Sequence, residues 1–197
     1  PESLNCEAIL QAWYPGQAGG QAVAEVLFGD YNPAGKLPLT FYRNLAQIPD
    51  FEDYNMTGRT YRYMKETPLF PFGHGLSYTT FKYGKLKMND DKIAAGQNLN
   101  LVIPVTNTGS RDGDEVVQVY LKKKDDTEGP VKTLRAFKRV RIPAGKTVEV
   151  KFSLDDTQLE WWDEQSNTMR VCPGNYTVMI GGTSCEKSLL SRAFTIR

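Results

Sequence analysis

The 197-residue chain sets 24 lysines and arginines against 23 acidic residues, a net charge of +1, and 40% of it is hydrophobic. That balance gives no electrostatic reason to bind nucleic acid, and the apolar content is that of a chain that buries a core rather than staying disordered. No apolar run approaches the roughly 20 residues of a membrane helix, and three cysteines, Cys6, Cys172 and Cys185, are too few for a disulfide framework or a metal cluster. The one basic run, Lys122 to Lys124, is followed at once by Asp125 and Asp126 and reads as a solvated face. No signal peptide is visible, and in a chain that starts at Pro1 this says nothing about export.

In chain order, Glu7 to Tyr14 reads as an apolar, strand-like segment. Gln17 to Phe28 reads as a helix, with Ala22, Val23, Val26 and Leu27 at helical spacing and Gly29 as its stop. Asp30 to Gly35 is a turn cluster, and Leu37 to Tyr42 a short strand that Pro38 confines to an edge or a strand start. Strand, helix and strand make one α/β unit, which cannot cover both of its faces alone. Residues 1–43 are therefore expected to be an incomplete α/β unit whose missing neighbours lie upstream or in another chain. Its uncovered apolar face would lie against later parts of the chain or support self-association with another copy.

Residues 44–72 show no sustained period. They mix Pro49, Pro68 and Pro71 with Phe51, Tyr54, Tyr61, Tyr63, Phe70 and Phe72, unlike a flexible Gly/Ser linker. So many rings point to an ordered strap laid on protein surface between domains.

Residues 73–197 alternate with period two. Leu99, Leu101, Ile103 and Val105 share one face, as do Val148, Val150, Phe152 and Leu154, then Tyr176, Val178 and Ile180, then Phe194 and Ile196. Val116 to Leu121 is dense enough for a central strand. Turn signals separate these runs at Asn107-Thr-Gly109, Arg111-Asp-Gly113, Pro143-Ala-Gly145, Pro173-Gly-Asn175 and Gly181-Gly182. About seven short strands so spaced predict a fibronectin type III-like, immunoglobulin-like β-sandwich. The chain as a whole reads as mainly β, with a short α/β remnant in front. Of the adjacent Trp161 and Trp162, one is expected on the core and the other toward solvent. Cys172 and Cys185, at opposite ends of a hairpin closed at Gly181-Gly182, are expected to be free thiols.

Five blocks, WYPGQAGGQAVAEVLFGDYNPAGKLPLTFY, GRTYRYMKETPLFPFGHGLSYTTF, PVTNTGSRDGDEVVQVYL, LRAFKRVRIPAGKTVEVKFSL and CPGNYTVMIGGTS, together resemble the C-terminal part of glycoside hydrolase family 3. The resemblance runs the length of the chain. It implies a TIM-like barrel first, an α/β sandwich domain second and a fibronectin type III-like domain last, with the barrel and most of the α/β domain upstream as partners in the same polypeptide. YPGQAGG and GRTYRY resemble the β-xylosidase and α-L-arabinofuranosidase branch; a β-glucosidase of the same family is the alternative, and a non-catalytic carbohydrate-binding or adhesion module another. Such enzymes release single sugars from non-reducing ends with retention, which needs two carboxylates about 5 Å apart. By resemblance the aspartate nucleophile comes from the barrel and the glutamate acid/base from the α/β domain, both before Pro1. Neither Glu2 nor Glu7 matches that glutamate, so no catalytic residue is assigned, and no cofactor or metal is expected. An extracytoplasmic location is expected by the same analogy.

The candidates for sugar contact are Arg59, Tyr61 and Arg62 in the strap and Tyr14 and Gln17 in the first block, which either hold substrate hydroxyls or pack against neighbouring protein. Asp50, Glu52 and Asp53 cluster near aromatics, as do Asp155, Asp156, Glu160, Asp163 and Glu164; acids in such turns are sugar acceptors or solvated caps. His74, the only histidine, has no triad pattern around it. GQAGG lacks the spacing of a phosphate loop. Asn55-Met-Thr57 and Asn175-Tyr-Thr177 match the short glycosylation pattern.

Overall fold

Leu99, Leu101, Ile103 and Val105 are fully buried, as their parity requires, in a computed structural model that describes residues 5–197; Glu2 lies outside the described residues. They belong to β4 (Leu99–Asn107), which pairs on one edge with β7 (Thr147–Leu154) and on the other with the short β1 (Phe81–Tyr83) and β2 (Lys87–Met88). The facing sheet has five strands in the order β3 (Lys92–Ile93), β11 (Leu190–Ile196), β10 (Gly174–Gly181), β5 (Gly113–Lys123), β6 (Thr133–Ile142). All its pairs are antiparallel except β3 with β11. Val117, Val119, Leu121, Tyr176, Val178, Ile180, Phe194 and Ile196 meet β4 and β7 in one core, the arrangement of a fibronectin type III-like sandwich.

A small hairpin, β8 (Trp161–Asp163) with β9 (Thr168–Arg170), closes one end of the sandwich. Trp161 is buried against Tyr176 and gives its indole N–H to Asp126, whereas Trp162 is half exposed beside its cross-strand partner Met169. The preceding turn α3 (Asp156–Leu159) is held by a capping box: Asp155 accepts from Thr157, and Gln158 reaches back to the Asp155 amide. The β10 to β11 connection runs through residues 182–189 rather than the glycine pair alone, with a 3₁₀ turn at Glu186–Ser188. Cys172 is buried and Cys185 half-buried, and both are free thiols.

Before the sandwich, helix α1 (Gly19–Phe28) starts two residues later than its spacing predicts. It ends at Gly29 in the left-handed conformation (φ 83°), the amide bonding back to Val26. The two flanking strands are corrected. Glu7 to Tyr14 pairs with no strand among the described residues, and Ile9, Leu10 and Trp13 remain exposed, since no neighbouring backbone is there to receive it. Leu37 to Tyr42 shrinks to an isolated bridge, Phe41 with Phe70, plus a pair of bonds joining Leu37 to Gly73 and His74. Pro38 has no N–H to give between those two contacts, so the ladder cannot run continuously.

Asn107 occupies a core parity position on β4 and is completely buried. Its carboxamide oxygen accepts from the Thr79 hydroxyl and the Gly109 amide, and its NH₂ donates to the carbonyls of Arg111 and Ile142. That one side chain closes the β4 to β5 turn onto the end of β6. Replacing it in Asn107→Leu strands four partners away from water, so denaturant unfolding should show a loss of about 2–3 kcal/mol.

Candidate functional site

The first segment and the strap are fixed to the sandwich by polar groups that the hydrophobic pattern conceals. Glu115 lies on β5 at the same parity as Val117, Val119 and Leu121, and is only 5% exposed. Lys36 reaches it with Nζ 3.3 Å from Oε2 and also donates to the Gly75 carbonyl at 3.0 Å. Tyr83 donates its hydroxyl to Oε1 at 2.8 Å, and burial followed by the Glu115 charge pushes that phenol's pKa far up. Asn32 holds the next turn: its Oδ1 accepts from Ser77 Oγ and the Tyr78 amide, both at 2.8 Å, and its Nδ2 donates to the Asp112 carbonyl. The Tyr78 hydroxyl donates to the Val26 carbonyl at the end of α1.

On the opposite face of β5, Gln118 donates to the carbonyls of Gly182 and Gly73 and accepts from the Tyr120 hydroxyl. Gly73 has φ 78°, and a Cβ there would collide with the Gln118 carboxamide, so glycine is required twice over. Phe72 accepts from the Ser184 amide, and Tyr61 stacks on Phe72 at 4.3 Å and meets Tyr120 edge-on. Tyr61, Arg62, Phe72 and Gly73 thus seat the strap and its exit on the sandwich, while Pro68 and Phe70 between them meet Arg43 and Phe41. His74 stacks on Phe70, and its pKa is lowered by burial and then by the nearby Lys36 charge, as befits a structural histidine.

Residues 45–56 stand apart from that packing. Leu45, Phe51 and Tyr54 are almost wholly exposed, with Phe51 at 93%. Arg59 stiffens this tip by donating to the carbonyls of Asn55, Asp50 and Asp53. The Asp53 carboxylate accepts from Asn55 backbone and side chain, which holds its pKa below the usual range. Between the tip and α2 (Thr60–Tyr63) opens a cleft of about 330 Å³ lined by Gln47, Ile48, Thr57, Tyr63 and Glu66.

The sequence candidates therefore fall into three places. Tyr14 (99% exposed) and Gln17 are on the uncovered first segment, Arg59 is inside the strap tip, and Tyr61 and Arg62 are at the strap's seat on the sandwich. The acids near the tryptophans act as caps: Asp155 on α3, and Asp163 accepting from Ser166 and pairing with Arg170. Among the described residues, no group of three or more His, Cys, Asp or Glu could hold a metal ion, and no helix is long and apolar enough to cross a membrane. Sequence reasoning missed Lys36, Glu115, Asn107 and Gln118. Parity was the available signal for Glu115 and Asn107, each a polar residue in an otherwise apolar alternation.

The sandwich and its welded strap define a fibronectin type III-like domain with an aromatic-rich preceding segment whose large apolar side chains are exposed. The Glycosyl hydrolase family 3 C-terminal domain matches residues 1–78, and the Fibronectin type III-like domain matches residues 115–184. The chain belongs to glycoside hydrolase family 3. It is 52% identical over 196 residues to a xylan 1,4-β-xylosidase of Xylanibacter ruminicola, covering 100% of this chain and 22% of that protein. It is 38% identical over 198 residues to a periplasmic β-glucosidase of Salmonella typhimurium, covering 94% and 26%. Among solved structures, a β-glucosidase from Erythrobacter marinus superimposes with a TM-score of 0.84 at 39% identity, covering 99% of this chain and 26% of that one. The chain thus spans about a quarter of the length of the relatives it matches.

The buried ion pair gives a direct test. Lys36→Met alone, which leaves Glu115 desolvated and uncompensated, should cost about 3–5 kcal/mol in denaturant unfolding, and the double variant Lys36→Met with Glu115→Met should recover much of that loss.

Proposed function

We propose that this chain is the C-terminal part of an exo-acting retaining β-glycosidase that removes terminal xylose, and that the two catalytic carboxylates come from polypeptide outside it. The observation that carries this reading is the 52% identity to a xylan 1,4-β-xylosidase along the whole chain, against 38% to a β-glucosidase. A β-glucosidase is the second reading, favoured by the TM-score of 0.84 to an enzyme of that description. The divisions at 43/44 and 72/73 go with this proposal: an α/β domain end, a strap and a terminal sandwich. A TIM-like barrel and the rest of the α/β domain are its partners in the same polypeptide. An extracytoplasmic location accords with a relative described as periplasmic.

The chain's own contribution is to position. Retention requires two carboxylates about 5 Å apart, held so that one attacks the anomeric carbon and the other serves first as acid and then as base toward the water that hydrolyses the glycosyl-enzyme. In this reading the exposed rings of the first segment and strap tip cover part of the larger domains. Tyr14, Gln17 and Arg59 are offered to substrate hydroxyls, while Tyr61 and Arg62 fix the strap that carries Arg59. Trp162 and Met169 do not extend into the row of aromatics that a glycan-binding sheet face would need.

The test compares the 197-residue chain with the full-length polypeptide on 4-nitrophenyl β-xyloside and β-glucoside. The chain should turn over neither, and the whole enzyme should have the higher kcat/KM on the xyloside. In that enzyme Arg59→Ala should lower kcat/KM by about tenfold, the weight of one charge-assisted hydrogen bond. Turnover by the chain alone refutes the placement of the carboxylates; a preference for glucoside refutes the xylosidase reading.

A further inference from the structure

The cleft between the strap tip and α2 is held open by the chain's own hydrogen bonds. Gln47 uses its whole carboxamide for this: Nε2 donates to Glu66 Oε2 at 3.0 Å and to the Thr67 carbonyl at 3.2 Å, while Oε1 accepts from the Arg43 amide at 2.7 Å. Those bonds tie the wall at 46–49 to the wall at 63–66. The third wall, Thr57 with Gly58, is set by Arg59, whose amide donates to the Met56 carbonyl at 3.0 Å and whose Nε donates to the Asn55 carbonyl at 2.8 Å. A preformed space of about 330 Å³ sits at the lower end of the roughly 300–1,000 Å³ of small-molecule sites. None of the five residues singled out for sugar contact from the sequence lines it.

The lining has two characters. Ile48, Pro49 and Met64 give it apolar surface and Tyr63 gives it a ring, backed by the Arg62 guanidinium with its centre 5.5 Å from the ring centroid. Beside them stand polar groups with bonding capacity unused. Among the described residues the Thr57 and Tyr63 hydroxyls and Lys65 Nζ make no hydrogen bond or ion pair, and Glu66 engages only Oε2. Lys65 and Glu66 are the charged members of the lining and are opposite in sign, so the cleft as a whole is neutral. A sugar ring has the matching pair of properties: apolar C–H faces for contact with rings and aliphatic walls, and a rim of hydroxyls that each donate and accept. An aliphatic ligand would leave the polar groups unanswered, and an ion would gain nothing from a neutral rim.

We propose that this cleft binds one neutral sugar unit. The ring lies against Tyr63 and the Ile48 and Pro49 wall, and its hydroxyls bond to Thr57, Lys65 and the free Oε1 of Glu66. These residues hold the sugar and take no part in breaking a bond. Binding of this kind requires no turnover, so it stands or falls apart from the glycosidase reading: the chain titrated is the one expected to hydrolyse nothing.

The experiment is titration of the isotope-labelled 197-residue chain with xylobiose, cellobiose and, as an anionic counterpart, glucuronate, followed by amide chemical shifts. At least one disaccharide should give saturable shifts at the amides of 46–48, 57–58 and 63–66, and glucuronate should bind no more tightly. The disaccharide that binds the more tightly identifies the sugar preferred. Thr57→Val, a near-isosteric change at an exposed position, should weaken binding about threefold, the loss of one neutral hydrogen bond. Tyr63→Leu should weaken it about fivefold or more through loss of the ring contact. Should the tyrosine variant fold poorly, Thr57→Val decides alone. Shifts that do not saturate with either disaccharide, saturable shifts at other residues, binding unchanged in the variants, or glucuronate binding the most tightly overturns the site.

Discussion

A carboxylate placed at a core position must find its counter-charge inside the fold, and Glu115 imposes that condition on everything before the sandwich. Its parity on β5 turns it inward with Val117 and Val119, where water cannot solvate it. Lys36 and Tyr83 answer it from two different parts of the chain. Meeting that demand brings the Pro33 to Leu37 turn down onto the sheet end, and the Leu37 backbone then pairs with Gly73 and His74. The strap is thereby fixed at its exit, while Tyr61 on Phe72 and Tyr120 fixes it further back. Burying such a pair is weak as a source of stability, since desolvation offsets most of the attraction. Its value here is positional: a slipped register would leave a bare charge in the core.

The distribution of exposed apolar surface divides the molecule. Among the described residues, fifteen of the nineteen exposed large apolar side chains precede residue 79, and four belong to the sandwich. The sandwich finishes its own burial; the segment before it does not. Helix α1 keeps Leu27 and Phe28 in solvent, and the strap tip does the same with Phe51 and Tyr54. A surface of that kind is ordinary for an interface and costly for a free face. It agrees with a chain whose matched relatives are about four times its length.

The strap combines two modes of attachment. At Tyr61, Arg62 and Phe72 it is packed by rings and backbone bonds to the sandwich. Between those points and before them it is held mainly by itself, through Arg59 on three carbonyls and Gln47 on Glu66 and Thr67. The hinge between the two modes is α2, with Thr60 at positive φ and Gly58 at φ 73°. The tip is thus a loop tied to itself by Arg59 and joined at α2 to the packed base, and Arg62 stands at that joint.

Much of the sandwich was legible in the sequence because alternation is a local property: one face buried, one wet, repeated until a turn residue interrupts it. The parities of β4, β7, β10 and β11 and the unlike fates of Trp161 and Trp162 all follow from that rule. Alternation failed where pairing depends on a neighbour. Glu7 to Tyr14 has strand-like residues but no partner backbone beside it, and Leu37 to Tyr42 is cut by Pro38. The sequence by itself determined which residues face a core and where strands end. Only the tertiary structure decided that Lys36 meets Glu115 and that Asn107 ties three segments, because each of these contacts joins residues distant in the chain and polarity carries no period by which to foresee its partner.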